Sequence, residues 1–434
     1  MAIATRLAHG RIYYGWYIVG ALFVSNFVSA GISHYAVAVY LKPMTEELGW
    51  SRGFFSTVVY GATLLSSPLS MLVWPLVDRK GARRIMLVSG VLLGVGTFAL
   101  GLVHAKWQFV LIKSVIMSFG SVGVGPMIAT LVVSNWFVRR RGRVLAFTSM
   151  GASTAGVAVT PVATLLLSAI GWRSSWMVLG ATALVLNTTL VTLFMQRRPE
   201  DLGLLPDGDK EALQPGISKA PEHSEVSWTR REALGTSTFW VLASCVPLGL
   251  LGNAVMSQHL YSYLTDINFS PGTAAAVMMT VPALAVLAKP PWGLIIERVP
   301  PRYCFSAIFA LMGLGLAVLV FSGSSLVGLF LGAALMGLGF SAAFPLQGLV
   351  WANYFGRGSQ GKIRSLSTPL SALSGPLGPI MAGYVWDVTG SYRRIFSVYI
   401  ATQAVAAVLI LLARPPSKKV ASAEALLTSS PGGR

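Results

Sequence analysis

Charge is what this sequence has least of. Asp, Glu, Lys and Arg make up only 11% of its 434 residues, against about 25% in an ordinary soluble domain. That deficit excludes a water-soluble globule. Acidic residues are the scarcer sign, 15 against 33 Lys and Arg, for a formal net charge of +18. Glu47, Asp78, Asp266, Glu297 and Asp387 all stand near the ends of apolar runs, which excludes a relay of carboxylates through a membrane. Cysteine is nearly absent: Cys245 and Cys304 both fall inside apolar runs, so neither a disulfide framework nor a metal site is expected. No phosphate-binding loop or catalytic triad is present, so no cofactor and no enzymatic chemistry are expected. The basic excess sits in short loops and not in a fold-sized polar segment, which excludes nucleic acid as a partner and reads as a topology signal.

What the chain does have is apolar sequence, 54% by residue. Twelve runs of spanning length can be marked: 16–41, 54–77, 85–104, 107–134, 144–170, 174–195, 239–264, 273–296, 303–322, 326–350, 366–386 and 395–413. The expected fold is an all-α polytopic membrane protein. Its organisation would be a first six-helix half over 1–195, a polar linker over 196–238, a second half over 239–413 and a polar tail over 414–434. The first run is long enough to span and lacks a short apolar core followed by a cleavage site, so it is expected to be retained as a helix. Lys and Arg concentrate on one side, in the clusters Arg79–Arg84 and Arg139–Arg143, in the linker and in the tail. By the positive-inside bias, both termini and the linker are expected to be cytoplasmic. A plasma-membrane location is expected, or the cell inner membrane in a bacterium.

The halves repeat at one constant offset. Trp50-Ser51 corresponds to Phe269-Ser270, His34 to Asn253, and Gly171 to Gly390. Asn135-Trp136-Phe137 and Pro161 have counterparts near that offset in Asn353-Tyr354-Phe355 and Pro379. Two parallel repeats joined by a linker are one plan of secondary transporters.

The loop from Trp74 through Asp78, Arg79, Lys80, Gly81 and Ala82 to Arg83-Arg84 resembles the signature that the major facilitator superfamily carries between its second and third helices. Trp74 stands where that signature begins with Gly. Gly293, Glu297, Arg298 and Arg302 resemble its degenerate second copy. A narrower resemblance is to the monocarboxylate-transporter and oxalate/formate-antiporter branches. It rests on Tyr14-Gly15-Trp16, Gly49-Trp50-Ser51-Arg52, Asn135-Trp136-Phe137 and Arg198-Pro199-Glu200-Asp201-Leu202-Gly203. The resemblance implies twelve transmembrane helices in two pseudo-symmetric halves. It further implies that a cation before Gly293, here Lys289 in place of the usual Arg, pairs with a substrate carboxylate. An acidic residue is often found one turn earlier in those branches; this chain has Ala285 there.

Two lysines lie inside runs. Lys289 is the only charged residue between Thr273 and Ile296, about 10 Å from the end of that run at 1.5 Å per residue. An ammonium in hydrocarbon costs about 3 kcal/mol or more. Either it lines a water-accessible cavity and binds an anion, or its stem snorkels to the surface. The same two readings apply to Lys113. Polar residues of the first and seventh runs, Asn26, Ser33, His34, Asn253 and Ser257, are candidates to orient a substrate or, equally, to make helix–helix hydrogen bonds. His34 is in addition a candidate for proton coupling. Asp78, Arg79, Gly81, Arg83, Glu297 and Arg298 are candidates for a cytoplasmic latch; the alternative for Asp78 and the Arg79–Arg84 cluster is a solvated charged loop. Taken together the sequence points to a secondary transporter of a small organic anion, a carboxylate, working by alternating access in a lipid bilayer. A proton or a counter-anion is left open as the coupled species. The alternatives are efflux of a hydrophobic compound and a transporter-derived sensor.

Overall fold

The computed structural model describes residues 13–137, 140–196, 198–205, 207, 228–355 and 360–416. Twelve helices follow one another among the described residues. In the first half α1 is Gly15–Leu48, α2 Arg52–Lys80 and α3 Ala82–Leu100. Helix α4 runs from Lys106 to Val124 and resumes as Pro126–Trp136 after a break at Gly125. The single 54-residue run Arg141–Phe194 is two helices, α5 and α6, which meet where Gly171 leaves helical geometry at φ 72°. In the second half α7 is Ser237–Asp266, α8 Pro271–Arg298, α9 Pro301–Phe321, α10 Leu326–Phe355, α11 Gln360–Thr389 and α12 Arg393–Leu409. Nine stretches among the described residues are long and apolar enough to cross a membrane, one of them holding most of α5 and all of α6. The protein is a multi-pass membrane protein. Of the polar linker, a short helix Arg230–Leu234 is described, capped by the Thr229 side chain on the Glu232 amide; 208–227 lies outside the described residues.

The repeat read from sequence has a backbone basis. Gly49 (φ 64°) closes α1 in the left-handed conformation, and Asn268 (φ 66°) does the same after α7; Gly171 and Gly390 (φ 66°) repeat it at the two later corners. Each corner needs positive φ, which Gly adopts freely and Asn tolerates better than other side chains. The pairing of helices repeats too: α1 packs on α5 and α7 on α11, α3 on α6 and α9 on α12, α2 on α4 and α8 on α10.

Close packing relies on small residues, as expected where lipid gives no hydrophobic drive between helices. A Cβ at Gly332 of α10 would lie 2.6 Å from the Gly315 carbonyl oxygen of α9, and one at Gly315 equally close to that of Gly332. The small residues Gly151 and Gly378 hold α5 on α1 and α11 on α7 by the same kind of contact.

The halves meet along α2–α11 and α5–α8. One apolar cluster is continuous across both halves, joining Tyr40, Trp50 and Phe55 of the first to Tyr261, Tyr392 and Phe396 of the second. It lies at the end of the bundle that carries Arg52. Toward the opposite end each half has its own cluster, around Tyr14 and Trp136 in the first and around Phe239, Phe305 and Trp351 in the second.

Three of the four motif fragments that carried the branch resemblance meet in the first-half cluster, through Tyr14, through Trp136 and Phe137, and through Leu202 packed against them. Tyr14 stacks near Trp136 at 5.5 Å, Gly15 lies under the Phe137 ring, and the Tyr14 hydroxyl donates to the Phe194 carbonyl at 2.9 Å. Cys245 and Cys304 are free and buried in the second-half cluster.

Candidate functional site

A cavity of about 200 Å³ opens inside the first half, among α1, α2 and α4. Ser29, Ser33 and His34 line it from α1; Tyr60 and Thr63 from α2; Lys113, Ser118 and Ser121 from α4. Two local irregularities build it. Gly31–Ala36 in α1 and Leu111–Ile116 in α4 are each one turn of π-helix. Such a turn inserts one extra residue into the hydrogen-bond register, and it recurs at functional sites. His34 sits in the first and Lys113 in the second. His34 is exposed, although it lies in the middle of α1, because the cavity reaches it. Tyr35 turns instead toward Gly156 of α5 and Pro282 of α8.

Lys113 is 5% exposed, and among the described residues no carboxylate pairs with it. A cation so placed is costly and reads as part of a substrate or ion pathway. Its stem does not snorkel to the surface. Lys289 is elsewhere. It lies on the α5–α8 seam between the halves and donates to the Ser153 hydroxyl at 3.2 Å, half-buried and outside the cavity lining. Pro290 and Pro291 follow it inside α8 and remove the amide donors for the carbonyls of Val286 and Leu287. The helix is therefore polar on its backbone where the lysine sits.

The other sequence candidates separate. Asn26 donates to the Thr148 carbonyl of α5 at 3.2 Å, buried, which is the helix–helix bond that was its alternative reading. Ser257 donates to Ala254 within α7 and lies 3.5 Å from the Tyr60 hydroxyl, across the seam from the cavity. Asn253 is half-buried and outside the cavity lining. Of the latch candidates, the side chains of Asp78, Arg79 and Glu297 lie outside the described residues. Gly81 takes φ 81° at the α2–α3 corner. Arg83 donates to the Thr192 carbonyl at 2.6 Å, tying α3 to the last turn of α6 within the same half. Arg298 is exposed in the last turn of α8.

Sequence reasoning missed a polar seal at the Arg52 end. Arg52 is 1% exposed and reaches from the start of α2 into the second half. Its guanidinium is bidentate on Asp266 (2.6 and 3.1 Å), donates to the Tyr392 hydroxyl (2.9 Å) and stacks 3.6 Å over the Trp386 ring. Lys42 adds a second cation to Asp266 at 2.8 Å. Asp387 accepts the backbone amides of Arg52 and Gly53, each at 2.8 Å. Behind them His259, fully buried, joins Tyr392 (2.9 Å) to the Pro379 carbonyl (3.0 Å). The signal was present in Gly49-Trp50-Ser51-Arg52. Arg52 stood in a motif, and Asp266 and Asp387 stood near the ends of other runs, but nothing local joins them because they are far apart in sequence.

The family follows from comparison with known proteins. The family model described as Major Facilitator Superfamily matches residues 21–287 and 260–431. The chain belongs to the Major Facilitator Superfamily. Similar relatives include human monocarboxylate transporter 11, 29% identical over 408 residues, with 88% of this chain and 79% of that one covered. The probable L-galactonate transporter of Escherichia coli (strain K12) is 27% identical over 400 residues, covering 86% and 83%. Among solved structures, an inward-facing bacterial homologue of the human lysosomal transporter Spinster superposes with a TM-score of 0.71 at 16% identity, covering 93% and 97%. A D-xylose–proton symporter gives 0.72 at 12% identity, covering 92% and 97%. The superfamily's fold, twelve helices in two halves, is the fold of this chain, and its members are transporters and not enzymes. Among the described residues no group of three or more His, Cys, Asp or Glu is placed to hold a metal ion.

Proposed function

We propose that this protein is a secondary active transporter of a small organic anion, a carboxylate, and that it works by alternating access about the cavity beside Lys113. The observation that carries the reading is that cation itself: buried, unmatched by a carboxylate among the described residues, and facing a cavity lined in part by hydroxyl side chains. The charge and its cavity make sense together if an anion is the missing partner. Relatives named for monocarboxylates and for L-galactonate support an anionic substrate. Lys289 supplies a second cation from the other half; its partner Ser153 is uncharged, so the ammonium remains available to an anion.

The arginine-rich end is cytoplasmic, with both termini and the linker, in the plasma membrane or a bacterial inner membrane. On that orientation the Arg52 end faces outward, and the Arg52–Asp266–Tyr392 seal together with the apolar cluster that crosses the halves there closes it. Rocking of the halves along α2–α11 and α5–α8 would break this seal as the opposite end closes.

The test is anion affinity in Lys113→Gln on purified protein, with folding checked by thermal unfolding. Losing one partner of a buried ion pair costs about 3–5 kcal/mol, or roughly two to four orders of magnitude in affinity. Wild-type affinity in a folded Lys113→Gln would refute the reading.

A further inference from the structure

The cavity's hydrogen-bonding inventory narrows the substrate, given the anion site just proposed. A hydroxyl group has one proton to donate and two lone pairs to accept with. Four of the lining hydroxyls have already committed that proton to a backbone carbonyl. Thr63 donates to Tyr60 (2.6 Å), Ser118 to Ala62 (3.3 Å), Ser121 to Ser118 (3.1 Å) and Tyr60 to Ala254 (3.2 Å). To offer its proton to a ligand, each hydroxyl would have to give up a hydrogen bond it already makes. Toward the cavity these four groups therefore act as acceptors.

The donors lie on other residues of the lining. Lys113 has three N–H groups, and among the described residues no side-chain hydrogen bond occupies Ser29, Ser33 or His34 on α1. One part of the lining thus offers positive charge and free protons, and another offers lone pairs. A plain alkanoate matches only the first part: its carboxylate accepts, and its alkyl chain can satisfy no acceptor. A sugar matches the second but leaves the lysine unpaired.

We propose that the site takes a polyhydroxylated carboxylate, held by its carboxylate at Lys113 with its hydroxyls donating to Thr63, Ser118, Ser121 and Tyr60. The discrimination against an unhydroxylated acid comes from the acceptors left facing an alkyl chain. Two net hydrogen bonds of ordinary strength amount to about ten-fold or more in affinity. It is the same logic by which a site built to pair a substrate hydroxyl rejects the analogue that lacks it.

The experiment measures binding to the purified full-length protein by calorimetry, with three probes of equal carbon number: gluconate, hexanoate and sorbitol. The expected order is gluconate first, with hexanoate and sorbitol each at least about ten-fold weaker. In Thr63→Val and Ser121→Ala the gluconate-to-hexanoate ratio should fall toward one. Lys113→Gln should instead lower gluconate affinity toward that of sorbitol. Hexanoate binding as tightly as gluconate, and still dependent on Lys113, would overturn the hydroxyl assignment while leaving the anion site standing. Sorbitol matching gluconate, or no Lys113 dependence for any probe, would remove the anion site and this proposal with it.

Discussion

The two halves are built on one plan and diverge where the substrate would sit. Their helices pair alike, and their corners turn left-handed at Gly49 and Asn268 and at Gly171 and Gly390. Yet at one repeat-equivalent position the first half has Lys113, in a π-helical turn facing a cavity, and the second has Gly332, in a regular helix pressed against Gly315. At another, the first half has His34 in a π-helical turn and the second Asn253 in an unbroken helix. At matching positions one copy is open around a cation and the other is closed against its neighbouring helix. Binding residues cost stability and packing residues supply it, and on the function proposed above the two roles fall on matching positions.

That division can be broken in several ways. The largest effect is expected where the halves join. Arg52→Leu leaves Asp266 with Lys42 alone and removes the stack on Trp386, and breaking a buried pair of this kind costs about 3 kcal/mol or more. Accessibility of a cysteine placed at Ser33, probed from the Arg52 side with an impermeant thiol reagent in a background free of Cys245 and Cys304, should rise at least ten-fold. Unchanged labelling would show that the apolar cluster alone closes that end. Next comes Gly332→Ala, whose added methyl meets a backbone carbonyl 2.6 Å away. Overpacking of this kind costs about 1–3 kcal/mol, read as a lower unfolding temperature with transport affinity intact.

The matching change in the first half should go the other way. Lys113→Met relieves an unpaired buried cation, so the empty protein should gain about 0.5–2 kcal/mol of stability while losing anion binding. Opposite signs at the two equivalent positions would confirm the division of roles; a loss of stability at both would refute it. Smallest is Arg83→Ala, which removes a cation from the last turn of α6. It should cost about 0.3–1 kcal/mol, diminishing in high salt, as a charge–dipole contact does.

Much of this was readable in advance. Scarce charge and the constant offset between Trp50 and Phe269 gave the repeat and the class of fold, because apolar length and corner chemistry are local properties. Helix ends were harder. The first run appeared to end at Leu41, but the helix continues to Leu48, since hydropathy marks where lipid stops and not where backbone hydrogen bonding does. Lys113 stood out by charge alone. The π-helical turns around it did not, because a one-residue change of register leaves no trace in composition. Lys289 was legible as a cation but not as a seam residue on Ser153, and no local pattern could reveal that Arg52 is completed by Asp266, Asp387 and Tyr392. Contacts between halves are written in pairs hundreds of residues apart, and a single chain shows each member alone.

One of those contacts reaches into secondary structure. The first amides of a helix have no intrahelical acceptor. In α2 the Phe54 amide is met locally by the Ser51 side chain, but those of Arg52 and Gly53 are met by Asp387 of the opposite half. The helix borrows part of its cap from the other half of the molecule. On the alternating-access reading proposed above, separation at this end would also uncap a helix, and the hydrogen-exchange rate of those two backbone amides would report each opening, native to the chain and needing no label.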